Sequence, residues 1–304
     1  MDAATVSASI VIAAVADVSF ACSVGTCLAV LMLDKAAPLM RHRLQCIAAG
    51  CVVTLIVADA VNLLLEAALM SGAPPRAAFT VLKPVLTQSH FGAVWSGGFA
   101  ALIVWAGSLV RARESGWAMQ MGVALFAAAA FAFSKAASSH AADAGDFALP
   151  EWVHWVHLCA TATWAGLVIA SGLYVLPMLR DHADAQTVAH FAGHLSATAT
   201  LALAAVLMSG AYNADRGLGG SLMRLTHSDW GFILDAKLVL VGAAMVLGGI
   251  NRIVYLPHVR RDASGSAVNT FQVILRIEAI TMLGVLSAAA ILAHTAPGLS
   301  MFLD

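Results

Sequence analysis

Eight long apolar runs, parted by short polar connections, set the pattern of this chain. They are, roughly, Thr5–Leu33, Leu44–Met70, His90–Val110, Trp117–His140, Trp152–Leu179, Val188–Tyr212, Trp230–Tyr255 and Phe271–His294. Each is long enough to cross a ~30 Å hydrocarbon core as an α-helix. The connections, among them "SGAPPRAAFTVLKP", "SSHAADAGDFALPE" and "NADRGLGGSLMRLTHSD", collect the Pro, Gly, Asp and Asn residues that interrupt helices. The pattern predicts an all-α, polytopic membrane bundle of about eight helices. We expect two four-helix halves, residues 1–148 and 149–304.

Composition strengthens this reading. The chain is 61% hydrophobic and 11% charged, against about 25% charge in a soluble domain, so it has too few polar residues to coat a globule in water. No basic residue precedes the first run, since the first lysine is Lys35; that run is expected to be a span and not a cleaved leader. A net charge of −1 without a basic stripe argues against a nucleic-acid partner. Cys22, Cys27, Cys46, Cys51 and Cys159 form no CxxC pair, so neither a disulfide framework nor a zinc finger is expected. Phosphate-cradling, dinucleotide and HExxH motifs are missing, and no enzymatic activity is expected.

Charge also orients the bundle. Connections one, three, five and seven hold Lys35, Arg41, Arg43, Arg111, Arg113, Arg180, Arg252, Arg260 and Arg261; connections two, four and six hold only Arg76, Lys83, Arg216 and Arg224. The richer set belongs in the cytoplasm, which leaves both termini outside. His90, His140, His154, His157, His227 and His294 then fall at external span ends, and His42, His182, His190, His194 and His258 on the inner side.

Three constellations carry candidate chemistry. In "EWVHWVHLCATATWAG", His154 and His157 stand three residues apart on one helix face, beside Trp152 and Trp155, which suit a membrane interface. With His90, His140 and His294 they form an external set of imidazoles, good ligands for late first-row metal ions. In the second span Asp59, Asn62, Glu66 and Met70 share a face; intramembrane carboxylates usually face a bundle interior or an ion path, and Glu66 and Lys135 lie at depths that allow a pair. Asp17 is the most buried acid. Cys27 and Cys51 lie at matching depth in spans one and two, and Met70 and Met208 add thioethers. Near the inner face, Glu278, Asn251 and Arg252 read as a structural clamp, while Lys237 lies toward the outer side.

The C-terminal half resembles the copper resistance protein D family. "HWVHLCATATWAGLVIASGLYVLP" looks like the family's His-then-Trp-Gly span, and "HFAGHLSATATLALAAVLMSGAYNA" like the helix after it. "WGFILDAKLVLVGAAMVLGGINRIVYLP" carries the Gly-x5-Lys and Asn-Arg-x4-Pro spacings, and "LRIEAITMLGVLSAAAILAHTAPG" the Arg-x-Glu helix with its terminal Pro. In the other half, "VLTQSHFGAVWSGG" is similar to a Thr-x-x-His-x-Gly-x-x-Trp region. The resemblance singles out His157, Trp164, Lys237, Asn251 and Glu278, with His90. It implies a multi-pass protein of the bacterial inner membrane that binds copper ions and passes them from periplasm toward cytoplasm, with a periplasmic protein of the copper resistance C type as donor. The expected metal residues are His90, His157, His154, His140, His294, Glu66, Asp59 and Met70. Two alternatives stay open: a b-type haem electron-transfer protein using the outer pair His90 and His157, and an assembly factor that delivers copper without transporting it.

Overall fold

The computed structural model describes residues 3–33, 38–72, 78–112, 116–219, 221, 223–261 and 265–295. Its helices, in chain order, are α1 (Ala3–Met32), α2 (Pro38–Ser71), α3 (Ala78–Gln88), α4 (His90–Arg111), α5 (Trp117–Ala137), α6 (Leu149–His182), α7 (Ala185–Leu218), α8 (Met223–His227), α9 (Asp229–Arg261) and α10 (Ser266–Ala293). All but the short α3 and α8 are long and apolar enough to cross a membrane, giving eight candidate spans. Among the described residues there is no strand. Alternating spans put the described start of α1 and end of α10 at one end of the bundle, here the termini end. The arginine-rich connections lie at the other, the basic end.

Local chemistry marks where spans begin. The hydroxyl of Ser89 accepts the Gly92 N–H at 3.0 Å ahead of α4, and that of Ser228 accepts the Gly231 N–H at 3.0 Å ahead of α9. Asp184 does the same for Thr187 at 2.7 Å ahead of α7, and this bond to the backbone holds its carboxyl below the usual carboxylate range. Each satisfies a helix-start donor that has no intrahelical partner. The second connection hides one element that hydrophobic runs alone do not signal: "AFTVLKPVLTQ" coils into α3 despite Pro84. The fourth span is shorter than expected. It ends at Ala137, and His140 opens a separate 3₁₀ turn, His140–Ala144.

The spans pack chiefly as hairpins, α1 with α2, α4 with α5, α6 with α7 and α9 with α10, and α1 seals the two halves together against α6. That last contact runs backbone to backbone. A Cβ on Gly25 would collide with the carbonyl of Gly166, and one on Gly166 with the carbonyl oxygen of Ala21. Small residues are how membrane helices approach so closely.

The last four spans are two copies of one design. Helix α6 runs α-helical over Leu149–Ala170, widens to a π turn over Ser171–Val175, and resumes at Leu176 before Pro177. Helix α9 does so over Asp229–Ile250, Asn251–Tyr255 and Leu256 before Pro257. The start of each of the three segments is displaced by 80 residues: 149 to 229, 171 to 251, 176 to 256. The partner helices obey the same offset, with Val188, Phe191 and Leu195 matched by Val268, Phe271 and Leu275, all buried. The π turns have a local cause. Proline offers no N–H to the turn before it and crowds the carbonyl four residues back, and one extra residue in the turn relieves both.

Candidate functional site

The first turns of α6 carry the "EWVHWVHLCATATWAG" motif, held in place from several sides. The Trp152 indole donates to the Phe147 carbonyl at 3.1 Å, and the Trp155 indole to the Ala129 carbonyl of α5 at 2.8 Å. Phe147 has the left-handed φ of 60°; its N–H is taken by the buried Glu151 carboxylate. Phe133, Phe147, Trp152 and Trp155 form one aromatic cluster. The aromatic half of the motif is thus an anchor, and it sets the angle at which the two histidines enter the bundle.

The imidazoles of His154 and His157 lie nearly parallel, 17° apart with centroids 6.4 Å apart, and both turn toward α7. His157 Nδ1 is 3.0 Å from Ser209 Oγ, and Ser209 already donates its only proton to the Ala205 carbonyl at 2.6 Å. Nδ1 of His157 is therefore the donor. Its Nε2 is left as a lone pair, the form that binds a metal. His154 is set the other way: Asn213 Nδ2 donates to its Nδ1 at 3.3 Å, so its ring proton is on Nε2. Gly210 makes room for the deeper ring, since a Cβ there would lie 3.1 Å from His157 Cε1.

Around these rings the bundle gathers charge that no single helix announces. Lys237 of α9 lies within electrostatic range of His154, His157 and Asp17. Asp17 of α1 also feels Lys135 of α5 and His294 beyond α10. Lys135 in turn faces Asp59 of α2, whose other neighbour is Trp95 of α4. Two carboxylates and two ammonium groups thus balance inside the half of the bundle nearer the termini. No ion pair closes among them in the described residues, and the Asp59 carboxylate faces the Trp95 indole N–H.

The structure sorts the expected metal residues. His154, His157, Asp59 and His294 border this centre. His90 stays outside it, exposed, with Nε2 3.2 Å from Asp146; His140 is likewise exposed, with Nδ1 3.2 Å from Asp143. His90 and His157 therefore stand in different settings, surface and interior, and the structure does not bring them together as axial ligands. Met70 and Met208 turn outward, 55% and 72% exposed, so neither thioether borders an interior path. Glu66 is half-buried and makes no ion pair with Lys135 among the described residues, while Lys135 lies within electrostatic range of Asp17 and Asp59. Cys51 meets Cys22, with Cys27 close by against Trp105 and Ser23. No group of three or more His, Cys, Asp or Glu side chains converges as a ready metal cage among the described residues.

The expected inner clamp is also different. Arg252 Nη1 reaches Ser196 O at 2.9 Å and Thr200 Oγ1 at 2.6 Å, and Asn251 Nδ2 donates to the Phe271 carbonyl at 3.2 Å. Arg180 of α6 clasps Asn269 and Gln272 of α10. Glu278 takes part in none of these bonds.

These features define a polytopic, all-α membrane protein with ionisable groups enclosed between its spans. Two family models match it: copper resistance protein D over residues 185–292, and the copper resistance protein D-like N-terminal domain over residues 1–149. No curated protein and no solved structure matches. The chain belongs to the copper resistance protein D family. Of the residues the sequence resemblance singles out, His157 and Lys237 fall in the centre near the termini. Trp164, Asn251 and Glu278 border a separate cavity nearer the basic end.

Proposed function

We propose that this protein is a copper permease of the bacterial inner membrane, taking copper at the termini end and passing it toward the basic end. The observation that carries the reading is His157 Nε2, left free because Ser209 fixes the opposite nitrogen as donor. Neutral imidazole is a fitting ligand for copper, and a ligating histidine held through its other nitrogen is the usual arrangement of a metal site. His154 joins as a second ligand once its proton moves from Nε2 or Asn213 lets go. Asp17 and Asp59 offset the positive charge of an ion held beside Lys237. The exposed pairs His90–Asp146 and His140–Asp143 belong to the rim, where a separate copper-carrying protein of the copper resistance C type would dock from the periplasm.

The test is copper content of the purified protein, wild type against His157→Ala, His154→Ala and His90→Ala, with thermal unfolding to confirm folding. His157→Ala loses the bound copper, His154→Ala weakens it, and His90→Ala keeps it. Equal copper in all four proteins would overturn the site.

A further inference from the structure

Between α6, α7, α9 and α10, nearer the basic end, lies a cavity of about 190 Å³ bordered by Trp164, Ser196, Thr200, Asn251, Arg252 and Glu278. Counted from the ends of α9 and α10, Asn251 and Glu278 lie roughly 15–18 Å into the bundle at about 1.5 Å per residue, which is membrane depth. Glu278 is only 4% exposed, and no hydrogen bond or ion pair serves its carboxylate among the described residues. The fold makes room for it: Gly248 stands opposite, where a Cβ would come within 2.9 Å of Glu278 Oε1. Asn251, also 4% exposed, gives its amide protons to Phe271, and its Oδ1 is left without a partner there.

Two buried oxygen acceptors thus border one cavity, and neither receives a hydrogen bond among the described residues. An unpaired carboxylate held away from water is unstable as an anion, so it needs a cation or a proton. A metal ion is poorly served, since the hydroxyls of Ser196 and Thr200 are committed to Arg252. Among the described residues Arg252 is the only other charged side chain at the cavity, and its charge repels cations. From α6 and α7 the cavity receives apolar and hydroxyl-bearing side chains and the Trp164 indole, none of them ionisable. A proton meets the need with the smallest change.

We propose that Glu278 is a proton-exchange site of the membrane interior, loaded and emptied through this cavity. The carboxylate takes a proton from hydronium to form its O–H bond, leaving water, and returns it to water by breaking that bond; no electron moves. The site stands apart from the copper reading, and its test needs no copper.

The chain has four glutamates, Glu66, Glu114, Glu151 and Glu278, so labelling glutamate carboxyls with ¹³C gives a resolvable infrared spectrum. The expected result is a carboxylic-acid carbonyl band that shifts in D₂O and gives way to a carboxylate band as the pH is raised across about pH 5–10. The band is lost in Glu278→Gln and kept in Glu66→Gln. Should Glu278→Gln fail to fold, Gly248→Ala crowds the carboxyl and displaces the band, whereas Gly249→Ala, whose Cβ would meet nothing within 4 Å, leaves it alone. A glutamate band that neither titrates nor exchanges with D₂O would overturn the proposal. So would the lack of any protonated glutamate across that range, or survival of the band in a folded Glu278→Gln.

Discussion

Ser209 decides what His157 can do. Its hydroxyl proton is spent on the Ala205 carbonyl, so the imidazole must donate to it and keeps Nε2 bare. Ser209→Ala removes the hydroxyl and leaves only the Val206 backbone to hold the ring, without touching the ligand atom. Copper affinity should fall by about 10–100-fold, the usual cost of losing such an outer partner, with unfolding temperature nearly unchanged; competition against a copper chelator measures it. Unchanged affinity would show that the tautomer is set elsewhere. At this scale the sequence is half legible. The spacing of His154 and His157 puts them on one face of one helix, and their order along it makes His157 the deeper. Ser209 and Asn213 lie more than 50 positions downstream on another helix, and nothing in the motif points to them. Asp17 and Lys237 show the same limit: the sequence reads one as a buried acid and the other as a charge toward the outer side, and only helix packing makes them neighbours.

At the scale of elements, the contact between α1 and α6 depends on the lack of a side chain. Gly166→Ala drives a methyl into the Ala21 carbonyl. Overpacking of this kind costs about 1–3 kcal/mol, read as a lower unfolding temperature in detergent. Gly107→Ala is the matched control, since a Cβ there meets nothing within 4 Å, and it should be neutral or stabilising by up to about 1 kcal/mol. Equal effects of the two substitutions would rule out the close crossing. The eight spans were legible because lipid demands long apolar runs and little else produces them. Glycines within those runs carry no mark of which one touches a neighbour, as Gly107 and Gly166 show. The hidden helix α3 and the end of α5 depend on short-range turns that hydropathy does not resolve.

For the whole molecule, the distribution of arginines sets an expectation for orientation: the basic end in the cytoplasm. In a Cys46→Ser background, Asp146→Cys should react with a membrane-impermeant thiol reagent from the periplasmic side, and Asp184→Cys only in inverted vesicles. The opposite labelling would turn the proposed direction of copper around. The 80-residue repeat has its own consequence, through the π turns. A π turn is an α-helix with one residue inserted, and one residue is worth about 100° of rotation. The two ends of α6 are therefore aimed independently. Excise one residue from Ser171–Val175 and the segment beyond it swings by about that angle, carrying Arg180 away from Asn269 and Gln272. His154 and His157, on the other side of the insertion, keep their bearing on Asn213 and Ser209. A single span thus holds two compass settings, and the extra residue is the offset between them.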